Sequence, residues 1–273
     1  MIYSKFLTGS SIIKKGIAQL ILLLALNTGS TLAQTVTLDY FFNREFRKDA
    51  NGNQERFHYI WEDINQSGYS IWRDIFHKNG AQTKSLKQAP TVQNLKGTAI
   101  YIIVDPDTKK ETANPNYILA THIQTIKDWV KAGGILVLLA NDSANVELTH
   151  FNKLAEAFGI HFNLEAYHKV DANKFQMGDF TIPHNHPIFK TAQKVYLKEI
   201  STLHLKTPAK AVYKDGNKAI MGVSKYGKGT VFAVGDPWIY NEYCNGRLPS
   251  SYDNDKAADD LSKWLIHQYK KQE

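Results

Sequence analysis

The sequence has a single cysteine, Cys244, in 273 residues, so no intramolecular disulfide holds the chain and no Cys/His cluster offers a metal site. It has neither a G-x-x-x-x-G-K-[ST] nor a G-x-G-x-x-G run, the glycine-rich turns that cradle phosphate, and no H-E-x-x-H pair of metal ligands. The G-x-S-x-G elbow of serine hydrolases is missing as well. No apolar stretch reaches the roughly 20 residues needed to span a bilayer. Lys and Arg number 33 against 26 Asp and Glu, but the signs are interspersed. That pattern describes a solvated surface rather than a nucleic-acid tract.

The first 33 residues read as an address. Lys5, Lys14 and Lys15 precede an apolar run from Ile17 to Leu26, followed by small and polar residues ending Thr31-Leu32-Ala33. A basic start, a short apolar region and small residues at the cleavage site define a secretory signal peptide over residues 1–33, with cleavage after Ala33. The expected destination is the periplasm or the exterior, with no membrane attachment after cleavage. Loss of the three lysines lowers the formal net charge from +7 to +4. Residues 34–273 are long enough to bury one large core and are expected to form a single domain.

Within that domain, Thr35 to Phe41 reads as an opening strand, and Asn43 to Ser67 as a connection too long to be merely a turn. Ile71, Trp72, Ile75 and Phe76 have helical spacing, with Gly80 as terminator. Ala99 to Val104 and Ile135 to Ala140 are continuous apolar strands, the pattern of strands covered on both faces. Between them, Thr121 and Gln124 have capping-box spacing ahead of a helix closed by Gly133-Gly134. Leu148, Phe151, Leu154, Ala155 and Phe158 mark the next helix. Alternating strands and helices imply a doubly wound, mostly parallel α/β sheet. Shorter β pieces follow residue 165, then a hairpin around Lys225 to Gly229 and a final helix carrying Ala257, Leu261, Trp264 and Leu265.

Four strand ends run directly into acidic or amide residues: Asp39 and Asn43, Asp105 and Asp107, Asn141-Asp142-Ser143, and Asp236. In an open parallel sheet, ligands bind outside the carboxyl ends of the strands, so these residues are expected to converge on one rim. Like charges brought close there raise at least one pKa, which is the arrangement used in acid/base attack on a glycosidic bond. Tyr40, Trp61, Trp238, Tyr240 and Tyr243 accompany the same segments. Aromatic faces beside Asp, Asn and Glu suit a sugar ring. Arg44 and Arg56 flank the long early connection and are the preferred partners for a uronate carboxylate, with Arg47 and Lys109 nearby in sequence. Asp and Asn at strand ends also cap helices and form turns, and Trp61 and Trp238 equally suit a core, so both roles stay open. His150 and His184-Asn185-His186 lack the spacing of a metal site. The early loop is expected to fold over the rim as a lid, bringing Trp61 or Arg56 to it.

The stretches Asp39 to Asn43, His58 to Asp63, Tyr101 to Thr108, Asn141 to Ser143 and Val234 to Tyr243 resemble an uncharacterised domain. That domain is often fused behind unsaturated rhamnogalacturonyl hydrolases of polysaccharide-degrading Gram-negative bacteria. The resemblance implies a class I glutamine amidotransferase-like, flavodoxin-like fold and a setting of pectin (rhamnogalacturonan) breakdown, and it supplies no catalytic residue. The hydrolase module itself is absent from this sequence. The turn comparable to the amidotransferase nucleophile is Asn141-Asp142-Ser143, without cysteine, so cysteine-dependent amidotransfer is excluded.

Two readings stay open. In one, the protein hydrolyses a uronate-containing pectic oligosaccharide with Asp105, Asp107, Asp142 and Asp236 as the acid/base set, without metal or cofactor. Asp39, Tyr40, Asn43, Arg44, Arg56, Trp61, Asn141, Ser143, His150, Trp238, Asn241 and Glu242 would then contact the sugar. In the other it is a non-catalytic sugar-binding or accessory domain that assists a separate unsaturated rhamnogalacturonyl hydrolase.

Overall fold

A computed structural model describes residues 1–2 and 33–271. The expected signal segment lies outside the described residues. Met1–Ala33 and Gln34–Glu273 are separate units.

In the larger unit the opening strand β1 (Thr35–Asp39) leads into an exposed hairpin of β2 (Phe46–Lys48) and β3 (Gln54–Arg56). Helix α1 (Ser70–Lys78) returns the chain to β4 (Gln82–Leu86), and β5 (Thr98–Val104), α2 (Ala120–Ala132), β6 (Ile135–Leu139) and α3 (Leu148–Glu156) follow. The short strands β7 (Ile160–Phe162), β8 (Asp179–Thr181), β9 (Lys194–Tyr196) and β10 (Leu203–Leu205) precede β11 (Lys210–Asp215). The long hairpin of β12 (Lys218–Tyr226) and β13 (Gly229–Val234), then α4 (Asn241–Cys244) and α5 (Asn254–Lys270), complete the described elements.

Among the described residues nine strands form the main sheet in the order β4-β1-β5-β6-β13-β12-β10-β7, with β11 on β12. The run β4-β1-β5-β6-β13 is parallel, and everything beyond β13 is antiparallel. The fold is therefore the expected α/β sheet, with an antiparallel extension beside its parallel half. β5, β6 and β13 are buried at every position, which is why their sequences read as unbroken apolar runs.

Alternation along these strands divides the core into two layers. Val36, Ile100, Ile102 and Val137 pack with Trp72 and Phe76 of α1 and Leu261 and Leu265 of α5. Tyr101, Ile103, Leu136 and Leu138 pack with Ile126 and Val130 of α2 and Phe151 and Leu154 of α3. The Trp72 indole N–H donates to Ser262 Oγ at 3.0 Å and ties α1 to α5.

Two local expectations are corrected. β1 stops at Asp39 rather than Phe41, because the Asp39 carboxyl takes the amides of Phe41 and Phe42 at 3.1 and 2.6 Å and turns the chain. Helix α2 starts one residue before Thr121, with Leu119 at the cap position and its amide donating to His122 Nδ1 at 3.2 Å, so the Thr121–Gln124 pair is no capping box. β8 and β9 pair only with each other, in a separate small sheet.

Candidate functional site

From β1 the chain moves outward to β4 and then back across to β5 on the other side of β1. The crevice between the carboxyl ends of β1 and β5 is thus the point where strand order reverses, the usual ligand position in such sheets. Asp39, Asp105, Asn141-Asp142 and Asp236 follow four parallel strands and occupy this one edge. Backbone bonds lock the strand ends together: Asp105 N donates to Leu139 O at 2.9 Å and Ala140 N to Val234 O at 3.0 Å. Asn43 reaches in from the early loop, its Nδ2 donating to Asp105 O at 3.0 Å.

Most of the rim carboxyls are engaged in holding backbone. Besides its two amides, Asp39 accepts from the Tyr101 hydroxyl at 2.5 Å, and burial raises its pKa to about 6. Asp107 accepts from Arg44 N, at 3.1 Å to each oxygen, and from Thr112 Oγ1 at 2.5 Å; burial lifts it to about 6 as well. Asp142 takes Ala144 N at 2.8 Å and Asn145 Nδ2 at 2.6 Å, which makes it a turn former. Asp236 takes Lys198 N at 2.7 Å, and burial raises it to about 7. These contacts give Asp39, Asp107 and Asp142 a structural part in holding the rim.

Asp105 differs. It is buried, yet among the described residues its Oδ1 has no hydrogen-bond partner, and its Oδ2 receives only a long 3.5 Å contact from Asn141 Nδ2. Its backbone φ is +43°, in the left-handed region that Asp tolerates better than most residues. Burial first, then the charges of Glu111 and Glu45, push its carboxyl well above the ordinary range. An unpartnered buried oxygen on a strained residue at a switch point is the arrangement in which function is expected.

Glu45, whose charge acts on Asp105, pairs with a group that sequence reasoning missed. His58 Nδ1 lies 2.6 Å from Glu45 Oε1, with the imidazole stacked 3.9 Å from the Tyr59 ring. His58 and Tyr59 both have positive φ, 67° and 49°. His58, Tyr59, Arg47, Gln66, Tyr240 and Glu242 line an open groove of about 540 Å³. The signal that could have found His58 was its position in the over-long loop between Arg56 and Trp61; its pairing with Glu45 was not readable.

The aromatic and cationic candidates sort differently from expectation. Trp61 and Trp238 are buried in the core, Trp61 with its indole N–H on Lys84 O at 3.1 Å, and neither offers a face to a ligand. Both had been candidates because they adjoin rim segments, but the sheet needed them as cover. Tyr40 is also buried, its hydroxyl donating to Glu62 at 2.5 Å and accepting from Trp61 N. Asn241 is a clamp: its Oδ1 accepts from Ile71 N, and its Nδ2 donates to Asp63 O, Asn65 O and Ser70 Oγ. The early loop does meet the rim, through Arg56, whose guanidinium donates to Tyr40 O at 2.6 Å and to Asn43 O. Arg56 is thereby a buttress of the loop rather than a free cation. Arg44 makes no side-chain hydrogen bond or ion pair among the described residues and is half-buried near the like charge of Arg56.

Ser143 is exposed. His150 stacks on Tyr117 at 4.7 Å and bonds Glu147 at the start of α3. His186 is buried against Val212 O at 3.0 Å. Among the described residues no set of three or more His, Cys, Asp or Glu side chains is arranged to hold a metal ion.

A parallel-centred α/β sheet with a buried acid at its switch point, and a polar groove between the early loop and the Tyr240–Glu242 segment, defines the class of this protein. Residues 62–243 match the family described as a domain of unknown function, DUF4350, and the chain belongs to that family. Among solved structures it is similar to the mmIFT52 N-terminal domain, with TM-score 0.64 and 17% identity over 85% of this chain and 97% of that one. It is also similar to the cytoplasmic protein STM1381 of Salmonella typhimurium LT2, with TM-score 0.57 and 13% identity over 86% and 99% of the two chains. These likenesses show the fold. A comparison with curated proteins gave no match.

Proposed function

We propose that the protein is a secreted carbohydrate-binding protein of pectin breakdown, holding a uronate-containing oligosaccharide in the groove between the early loop and the Tyr240–Glu242 segment and assisting a separate unsaturated rhamnogalacturonyl hydrolase. The observation that carries this reading is the groove itself. Its open form and its mixture of tyrosine edges with Arg47, His58, Gln66 and Glu242 supply the hydrogen bonding that a ring of hydroxyls requires. The sequence resemblance to domains fused behind rhamnogalacturonyl hydrolases supplies the substrate class, and the signal-like amino terminus supplies the compartment. Binding is preferred to cleavage because Asp107 and Asp142 spend their oxygens on backbone and turn contacts, and Asp236 is buried.

The second reading is hydrolysis of a glycosidic bond, favoured by one observation, the unpartnered Oδ1 of Asp105. A carboxyl that burial makes hold its proton more tightly than usual is the kind of group that donates to a leaving oxygen. Titration calorimetry with rhamnogalacturonan oligosaccharides, run beside product analysis of the same mixtures, tests both. Binding without new reducing ends supports the accessory protein. Cleavage that disappears in Asp105→Asn replaces it with the hydrolase, and absence of any binding or cleavage refutes both.

A further inference from the structure

A second cleft, of about 580 Å³, is lined by Phe175, Tyr196, Lys198, Tyr243 and Arg247, and it shares Glu242 with the groove already described. A continuous series of ring contacts runs beneath the two. Phe175 meets Tyr196 at 5.7 Å, Tyr196 meets Tyr243 at 4.9 Å, Tyr243 meets Tyr240 at 4.5 Å and Tyr240 meets Tyr59 at 5.8 Å. These rings are largely buried, so they form a stiff floor that presents edges to both clefts.

One cation of the second cleft, Lys198, has its backbone held by the rim. Asp236 fixes the backbone of Lys198 through its amide, and the next residue, Glu199, takes φ +51° with its amide on His168 O at 2.9 Å. The Lys198 amine is part-exposed, and among the described residues its one ion pair, with Glu199, is long at 3.8 Å. Arg247 stands on the shared wall. Among the described residues its side-chain bonds, to Glu242 and to Gln66 Oε1, all run through Nη1. Nε and Nη2 stay open, and those two nitrogens form a side-on fork that matches a carboxylate with two parallel hydrogen bonds.

We propose that this cleft is a second sugar subsite that selects a uronate carboxylate through Lys198 and the open fork of Arg247, so that the ligand is an oligosaccharide long enough to cross Glu242. The inference rests on the sugar-binding reading above. It adds a polarity to the groove: hydroxyl recognition on the His58–Tyr59 side and acid recognition on the Lys198–Arg247 side.

The test measures calorimetric affinity for a rhamnogalacturonan tetrasaccharide and for its carboxyl-reduced counterpart, using the wild-type protein and the Lys198→Met/Arg247→Met double variant. Both side chains are substantially solvent-exposed, and thermal melting of the variant checks that the fold is kept. The wild type should prefer the acidic ligand, increasingly so at low salt, and the double variant should lose roughly tenfold or more on that ligand while binding the reduced one within about twofold of wild type. A double variant that keeps acidic-ligand affinity within about twofold overturns the subsite and leaves the sugar-binding reading intact. So does a wild type that binds the two ligands equally. Failure of the wild type to bind either ligand overturns both.

Discussion

Replacing Asp236 with Asn should make the protein more stable near pH 8 and leave it nearly unchanged near pH 4. Asp236 is buried at the end of β13, and its carboxyl is raised from an ordinary 3.8 to about 7, with burial as the first cause. The folded chain therefore holds this proton more tightly than the unfolded chain does. Stability contributed by the protonated acid is fully present below pH of about 4 and is lost as pH rises through about 7, because folding must then keep a charge away from water. At about 1.4 kcal/mol for each tenfold change, the rise corresponds to at most about 4 kcal/mol. Asn keeps a carbonyl oxygen to accept from Lys198 N at 2.7 Å and cannot ionise, so it removes the penalty while keeping the contact. In a unit of this size, about 4 kcal/mol is a melting shift on the order of 10 °C. Urea titrations of wild type and variant at half-unit pH steps give the two stability curves, which should meet at the acid end and diverge above pH of about 4. Parallel curves across the whole range would refute the buried-acid assignment. A variant less stable at pH 8 would show that the ionised carboxylate is worth more to Lys198 N than its desolvation costs.

Asp105→Asn should also raise stability at neutral pH, since Asn tolerates the left-handed backbone and carries no charge, whereas Asp105→Ala should be less stable than the Asn variant; denaturant midpoints decide the order. Trp61→Ala should cost about 3–5 kcal/mol by emptying a core site and should leave sugar affinity unchanged below the melting transition, so an affinity loss at full stability would return Trp61 to the site. Gly235→Ala should abolish folding or lower the melting temperature drastically, because an added Cβ would lie 1.7 Å from Ser201 O; a variant that melts like wild type would refute that close backbone approach.

The parallel half of the sheet was legible because burial on both faces writes itself into sequence as unbroken apolar runs, and Thr98–Val104 and Ile135–Leu139 carry that mark. β4 carries no such mark. Gln82, Lys84 and Ser85 belong to an edge strand half open to water, where polar residues are tolerated and even useful. The β2–β3 hairpin is exposed and only three residues deep, too short for an alternation to be read. At the site, placement of Asp105 and Asp236 followed from strand polarity alone. What each carboxyl bonds to did not, because Asp107 meets Arg44 and Asp236 meets Lys198 across tens of residues of chain. Trp61 and Trp238 were ambiguous for a related reason: a tryptophan at a strand end serves equally as platform or as cover, and the choice is made by packing partners such as Tyr69, Trp72 and Phe189.

The position of β13 has a consequence for the order in which the chain acquires structure. This strand lies between β6 and β12 in the interior of the sheet, yet it is supplied by residues 229–234, late in the sequence. A chain emerging from the ribosome or from a translocation pore in the amino-to-carboxyl direction therefore has β4, β1, β5 and β6 available for a long interval, with one flank of β6 unpaired. Asn241 deepens the dependence, since the loop from Asp63 to Ile71 cannot be clamped until that residue arrives. Non-local pairing of this kind delays closure and leaves an adhesive edge open to other chains. Vectorial delivery thus ends in a late sequence, the insertion of β13 into a waiting gap followed by the arrival of Asn241 and α5, and a nascent chain stalled before residue 229 should be the species that chaperones recognise.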